Sequence, residues 1–358
     1  MRKLIIAALA AALLIPGGAC AKKKTKGYVI GFYNLENLFD ISHDEGKNDY
    51  EFLPDGANRW TQVKYSKKLH NMATVIRAMK DDNRVWHTVL GISEIENRHV
   101  LEDLVSQPEI AQANYQIVHY DGPDRRGVDV GLLYDPLRFK PLESRSIPYT
   151  FDSENIKFDM DSSGQAYFRT RDILMVRGLI EDEMFAFFVA HLPSRLGGKG
   201  GDLRSRGAEI IWENAAELMR LYPGIKIVAM GDMNDDPTDE SMVRYLHSRE
   251  SIEELGEYDF FSPFIQMLKA GYGSLAYQGN WNIFDIIVTN KALAQPAKGT
   301  LGIRPIVAKK YYARIFHKPF MQQPDGQYKD QPKRTFSNGA FIGGYSDHYP
   351  TYIVVSNK

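Results

Sequence analysis

The sequence predicts an α/β chain of the α+β type, in which two β-sheets pack face to face and helices cover their outer faces. Three observations lead there. Short apolar runs of strand length recur from Tyr28 to Val355 and outnumber the helical stretches. They come in groups separated by helices rather than in strict βα alternation. The 358 residues carry no internal repeat and no evident interdomain linker, and 44% apolar with 25% charged residues is ordinary for a globular protein.

The elements follow in order. Tyr28 to Tyr33 reads as the first strand, with Asn34-Leu35-Glu36-Asn37 at its end. Ile41 to Asn58 is acidic and Pro/Gly-containing, and is expected to be a surface loop. Between Thr61 and Met79, apolar residues at 63, 69, 72, 75, 76 and 79 keep helical spacing. Thr88 to Ile92 is a buried strand that runs into Ser93-Glu94, and Val100 to Val105 is a short helix. Strands at Tyr115 to His119 and Val128 to Tyr134 bracket a turn, Asp121 to Gly127. A hairpin follows, Ile173 to Ile180 with Met184 to Ala190, and its second strand ends at His191. Leu196 to Gly201 is a Gly-rich loop without the Gly-Lys-Ser/Thr ending of a P-loop. Asp202 to Leu221 is the longest helix, stopped by Pro223-Gly224. The run Ile225 to Met230 enters Gly231-Asp232-Met233-Asn234, Phe284 to Thr289 contains Asp285, and Tyr352 to Val355 is the last strand, just after Ser346-Asp347-His348.

Charge and cysteine narrow the function. With 44 basic and 45 acidic residues the formal charge is −1. This is not the basic excess of a protein that coats nucleic acid, so any phosphate binding must be local or metal-mediated. The N-terminus reads as an export signal over residues 1–20: Arg2-Lys3, an apolar stretch from Leu4 to Pro16, then Gly17-Gly18-Ala19-Cys20-Ala21. Two processing routes fit. Ala19 and Ala21 suit cleavage to a soluble product, whereas Cys20 sits where a bacterial lipoprotein carries its acylated cysteine, with Gly17 in place of the usual Leu. Both imply export, to the periplasm, to the outer membrane as a lipoprotein, or into the medium. Residues 21–26 form a Lys-rich tether, and 27–358 the folded domain. Cys20 is the single cysteine, so no internal disulfide forms.

The polar residues at strand ends carry the chemistry. Asn34/Glu36, Glu94, His191, Asp232/Asn234 and Asp347/His348 each follow or flank an apolar run, and Asp285 lies within one. If these ends share a rim, the clustered carboxylates repel one another unless a cation is present. Oxygen ligands without thiolates favour Mg²⁺, Mn²⁺ or Ca²⁺.

The ordered set Asn34-Leu35-Glu36-Asn37, Ser93-Glu94, His191-Leu192-Pro193-Ser194-Arg195, Gly231-Asp232-Met233-Asn234, Phe284-Asp285 and Ser346-Asp347-His348 resembles the endonuclease/exonuclease/phosphatase superfamily. Asn34 to Asp40, Glu94 to Asn97 and Arg126 to Val130 look closest to its secreted bacterial nucleases. The resemblance implies a four-layer DNase I-like sandwich with two mainly antiparallel sheets. It also implies roles. Glu94 would be the main metal ligand, with Asn34, Glu36 and Asp347 nearby. Asp232 would orient or deprotonate the attacking water, and Asn34 and Asn234 would hold phosphate or water. His348, oriented by Asp285, would stabilise the pentacoordinate phosphorus or help the leaving oxygen depart. His191 would contact the phosphate from the other side, supported by Ser194. Two departures stand out: Ile92-Ser93 replaces the commoner Leu-Gln before Glu94, and long segments occur at Ile41 to Asn58 and Arg304 to Gly339.

The expected activity is a metal-dependent phosphodiesterase, a monomer cleaving DNA or RNA, with membrane contact only through a lipid anchor at Cys20. A phospholipid or phosphoinositide phosphoesterase is the rival of the same superfamily, and a non-enzymatic binding module the third. The lipid rival needs an exposed apolar hairpin; none is compelling, and the Phe260 to Ile265 run, which can be read that way, is expected to pack in the core. For the nucleic-acid reading, Arg304 to Arg334 holds eight Lys/Arg interleaved with Tyr and Phe. That pattern suits either a strand-binding surface or a solvated loop whose aromatics pack on the sandwich.

Overall fold

The computed structural model describes residues 27–357 except 150–158, 161–165, 168–169, 196–199, 278 and 309. The leader and tether with Cys20, most of the Gly-rich loop and Lys309 therefore lie outside the described residues.

Two seven-stranded sheets make the sandwich. In chain order the strands are β1 (Tyr28–Leu38), β2 (His87–Ile95), β3 (Gln116–His119), β4 (Asp129–Tyr134), β5 (Lys140–Ile147), β6 (Ile173–Ile180), β7 (Glu183–His191), β8 (Lys226–Asp232), β9 (Ser248–Arg249), β10 (Phe260–Phe261), β11 (Asp285–Asn290), β12 (Leu301–Arg304), β13 (Ala313–Ile315) and β14 (Thr351–Asn357). The first sheet runs β12-β14-β1-β2-β4-β3, with β13 also paired to β14. The second runs β9-β10-β11-β8-β7-β6-β5. Most pairs are antiparallel; β1–β2, β7–β8 and β9–β10 are parallel.

The central strands are continuous apolar runs because both of their faces are covered. Val89, Leu90 and Ile92 of β2 are buried, as are Ile227, Val228, Ala229 and Met230 of β8. The sheets meet closely where β2 carries Gly91: a Cβ there would lie 2.8 Å from the Met230 sulfur of the opposite sheet. Helix α1 (Gln62–Asn83) packs against β1 from outside. Helix α2 (Arg98–Val105) starts on an Asn97 side chain that accepts from the Val100 N–H at 3.1 Å. Helix α3 (Gly201–Leu221) brings Gly207 against Leu192, just past β7.

The structure extends the expected strand list. Strand β5 was not expected, because its pattern Lys140-Pro141-Leu142-Glu143-Ser144-Arg145 reads as loop; among the described residues it is an edge strand paired only to β6. Strands β12 and β13 fall at and inside the segment expected to be irregular. The Phe260-to-Ile265 run is core: Phe260, Phe261, Phe264 and Ile265 are all buried. It supplies no exposed apolar hairpin. Among the described residues no helix is long and apolar enough to cross a membrane.

One core residue makes stability pH-dependent. His87 opens β2 fully buried, its Nε2 has no hydrogen-bond partner among the described residues, and burial lowers its pKa to about 4. The unfolded imidazole titrates near 6.5, so the folded state is favoured above that pH. As pH falls from 6.5 to 4 the unfolded state takes up a proton that the folded state refuses, and about 3 kcal/mol is lost. His87→Leu is expected to flatten the dependence of urea-unfolding free energy on pH over that window. An unchanged slope would place the acid sensitivity elsewhere.

Candidate active site

Sheet registry builds half of the site. Asp232 ends β8 directly opposite His191 of β7 on one side and Asp285 of β11 on the other. Three polar side chains thus stand abreast on adjacent strands. Gly231 precedes Asp232 because a Cβ there would lie 2.2 Å from the Ala190 carbonyl oxygen. After Asp232 the chain turns through Asn234 at φ 50°, whose N–H returns to Asp232 Oδ1 at 3.0 Å. This is the local side-chain-to-backbone bond that Asp makes readily at a turn.

The facing sheet supplies the other half. Asn34 pairs with Ser93 in the β1–β2 register, and the register then breaks before Leu38 and Ile95. Glu36, Asn37 and Glu94 take left-handed φ values of 50°, 53° and 58°. Non-glycine residues rarely adopt that conformation, and it persists where surrounding contacts over-determine it. Here Glu94 Oε2 accepts from the Asn37 N–H at 2.9 Å, and Asn34 Oδ1 from the Glu36 N–H at 2.8 Å.

These pieces converge. Glu94, His191 and Asp232 offer ligand atoms that all lie within 4.8 Å of one another. His191 Nε2 is 3.7 Å from both Glu94 Oε1 and Asp232 Oδ2. The Asn34 amide nitrogen bridges the two carboxylates, at 3.2 Å from Glu94 Oε1 and 2.9 Å from Asp232 Oδ2. With its Oδ1 accepting from the Glu36 N–H, the Asn34 side chain orients both carboxylates through its amide nitrogen. On the other flank His348 Nδ1 is 2.8 Å from Asp285 Oδ2, and its Nε2 faces Asp232 Oδ2 at 3.7 Å. Ser274 donates to the same Asp285 oxygen at 2.5 Å. Ser346 anchors the His348 turn, donating to the Asn34 carbonyl at 2.8 Å and accepting from the His348 N–H at 3.1 Å.

The electrostatics divide the roles. Burial pushes the Asp232 carboxyl up to about 7, with Asp285 and Glu94 adding to the shift and His348 offsetting part of it. Burial works against a charge on His348, but Asp285 and Asp232 outweigh it and hold the imidazole well above its usual value. His191 goes the other way: burial and then Arg171 keep it neutral. Two facing carboxylates with only an amide between them form a hard donor set, and a neutral imidazole beside them suits a divalent cation.

Other expected residues are placed differently. Glu36 does not join the Glu94–His191–Asp232 group. Its Oε2 accepts from Lys68 Nζ at 3.2 Å, the Thr335 N–H at 2.7 Å and the Thr335 hydroxyl at 2.6 Å, and its Oε1 faces Arg334 Nε at 3.4 Å. With those donors in place it holds the Arg334–Thr335 segment to α1 and is not free to serve as a ligand. Asp347 lies on the open side, where its Oδ2 accepts from Arg334 Nη2 at 2.8 Å. Asn234 donates its amide to the Leu192 carbonyl at 2.9 Å and so ties the end of β7 to the turn after β8. Ser194 is exposed, and its carbonyl accepts from Arg204.

Several supporting residues were not singled out from sequence. Arg171 donates to the His191 and Leu192 carbonyls at 3.2 and 3.0 Å and pairs with Asp124. Lys68 is buried and gives its three N–H bonds to Glu36, the Thr335 hydroxyl and the Tyr345 carbonyl. A signal for Lys68 existed: it lies on the apolar stripe of α1, three residues after Tyr65 and four before Met72, where a charge needs a partner. Lys68→Met is expected to cost about 3–5 kcal/mol, because it removes the buried cation of the Glu36 carboxylate and leaves it only the half-exposed Arg334. Adding Glu36→Gln should restore most of the loss in urea unfolding. Additive costs would refute this pairing.

The basic segment also divides. Arg314 and Lys318 pair with Asp82, Arg304 binds Ser356, Tyr312 packs on Phe261 and Phe316 is buried. These residues therefore serve the sandwich, whereas Arg334 reaches the site through Asp347 and Glu36.

Two mixed sheets packed face to face, with carboxylates, amides and imidazoles gathered where their strands end, define a DNase I-like fold. The chain belongs to the endonuclease/exonuclease/phosphatase family, whose model matches residues 29–357. Its fold is similar to that of a humanized TDP2 from D. rerio, with a TM-score of 0.53 and 13% identity over 92% of this chain and 98% of that one. It is similar as well to an endonuclease/exonuclease/phosphatase family protein from Bacteroides thetaiotaomicron (0.52, 13%, 94% and 99%). The human Nocturnin catalytic domain gives 0.51 and 15%, over 93% and 95%. At these identities the likeness is one of fold. By sequence, no curated protein matches the chain.

Proposed function

We propose that the protein is a divalent-metal-dependent phosphodiesterase that hydrolyses nucleic acid. The observation that carries this is the convergence of Glu94, His191 and Asp232 beside the His348–Asp285 pair. A Mg²⁺, Mn²⁺ or Ca²⁺ ion held there by Glu94, with His191 as the available nitrogen donor, would supply Lewis acidity and charge neutralisation at the phosphate. The chain's own residues do the rest. Asp232, in the same cluster, orients the attacking water and accepts its proton. His348, kept cationic by Asp285, faces the developing charge and protonates the leaving oxygen. Asn34 and Asn234 hold the carboxylate and the strand ends in register, so that water and leaving group stand in line. Nucleic acid as the substrate is supported by family membership and by the fold's likeness to a D. rerio TDP2 complexed with single-strand DNA product. The phospholipid alternative finds no exposed apolar hairpin at Phe260 to Ile265, which is buried as the sequence suggested. The N-terminal sequence supports export and processing at or near Cys20.

The test is hydrolysis of plasmid DNA, structured RNA and methyl p-nitrophenyl phosphate with Mg²⁺, Mn²⁺, Ca²⁺ or EDTA. Metal-dependent cutting that EDTA abolishes, and that Glu94→Ala lowers by about 10²-fold or more, is the expected result. Full activity in EDTA would sink the metal-dependent reading.

A further inference from the structure

A cleft of about 580 Å³ opens beside the catalytic site, between residues 323–338 and the short hairpin of Leu275–Tyr277 with Asn280–Asn282. Arg334 and Asp347 close one end of it, and Asp347 Oδ1 is 3.8 Å from His348 Nε2. The cleft therefore begins where the proposed chemistry happens.

Its lining then changes character. Among the described residues Arg334 and Asp347 are its only charged ones, and they bind each other at 2.8 Å. Gln323, Gln327, Gln331 and Asn338 present neutral amides, and Tyr277 and Tyr328 present rings that are 60% and 45% exposed. A run of phosphates would call for unpaired cations, and this cleft offers none. Planar amides carry a donor and an acceptor side by side, the arrangement that reads the edge of a base, and exposed aromatic rings stack on its face. The wall is also preformed. Gln323 N–H donates to the Gln331 carbonyl at 2.9 Å, Asp330 N–H to Gln323 at 2.9 Å and Gln331 N–H to Tyr328 at 3.1 Å. The Tyr349 hydroxyl then ties the Asp330 carbonyl to the core at 3.0 Å. The volume suits one nucleoside.

We infer that this cleft seats the base of the nucleotide next to the scissile phosphate, so the substrate is an unpaired or splayed nucleotide and not a base held in a duplex. The inference rests on the phosphodiesterase reading above. A base stacked in a helix cannot reach Tyr328 or the glutamines, because its faces and its pairing edge are already occupied. A polyol headgroup could also bond the same amides, but the two exposed rings favour a flat partner.

The experiment compares p-nitrophenyl phosphate esters: the 3′- and 5′-thymidine esters, their abasic deoxyribose counterparts, the inositol ester and the methyl ester. Wild type, Tyr328→Ala and Gln331→Ala are each assayed with metal. Wild type is expected to favour a thymidine ester over its abasic counterpart. Tyr328→Ala should raise KM for that thymidine ester about tenfold and leave the abasic and methyl esters unchanged. Equal KM values across the three proteins would overturn the base-binding cleft while leaving the phosphodiesterase reading in place. A KM response confined to the inositol ester would overturn it in favour of a polyol. No turnover of even the methyl ester would remove the phosphodiesterase reading, and the cleft's role with it.

Discussion

Replacing Asp232 with asparagine should lower kcat on nucleic acid by about 10³–10⁴-fold, with KM little changed. The substitution keeps the size of the side chain and removes its ability to take a proton from water. It also reverses a local bond, since an amide nitrogen would meet the Asn34 amide nitrogen that now donates to Asp232 at 2.9 Å. The metal-free protein should at the same time become more stable at neutral pH. Burial raises the Asp232 pKa to about 7, against an unfolded value near 4, so ionising it is penalised throughout that interval. Asparagine escapes the penalty. A thermal scan in EDTA is expected to show a higher Tm for Asp232→Asn at pH 7 and a vanishing difference near pH 4. Retention of more than a tenth of wild-type kcat would refute Asp232 as the base.

The second large effect is expected at His348. His348→Gln can still reach Asp285 but holds no proton to give, and should lower kcat on DNA or RNA by about 10³-fold. Methyl p-nitrophenyl phosphate separates the two jobs of the imidazole. Its leaving group departs without a proton, so the loss there should be much smaller if His348 acts as an acid. An equal loss on both substrates would mean that His348 only stabilises charge at phosphorus. Asp285→Asn adds a pH readout. The carboxylate 2.8 Å from Nδ1 holds the imidazole pKa up, so removing it lets that pKa fall. The alkaline limb of the pH–rate profile should then move to lower pH. An unmoved limb would assign it to another group.

Much of this site could be read before any coordinates, and the reason is local. An apolar run that stops at Asp232, Glu94 or His191 marks a strand end, and a strand end at a sheet's rim is where polar side chains can gather. Which rim residues meet was not local. That Asp232 stands between His191 and Asp285 follows from strand order, which the spacing of 41 and 53 residues along the chain does not encode. The two carboxylates Glu36 and Glu94 were both expected near the metal, with Glu94 as the main ligand. They differ because a lysine from α1 and a threonine from a segment nearly 300 residues away claim one of them. The short strands Leu301–Arg304 and Ala313–Ile315 were equally silent, since three or four residues become a strand only when β14 is present to pair with them.

The bond from Ser346 to the Asn34 carbonyl has a kinetic meaning. It joins positions 312 apart and pins the His348 turn to the end of β1, beyond the stretch where β14 pairs with that strand. Loops of that length close late, after local helices and hairpins have formed. A refolding chain should therefore recover its far-ultraviolet circular dichroism before it recovers any turnover. Hydrolysis then reports on the completed fold alone, and a chain caught part-way, however rich in secondary structure, leaves phosphodiesters uncut.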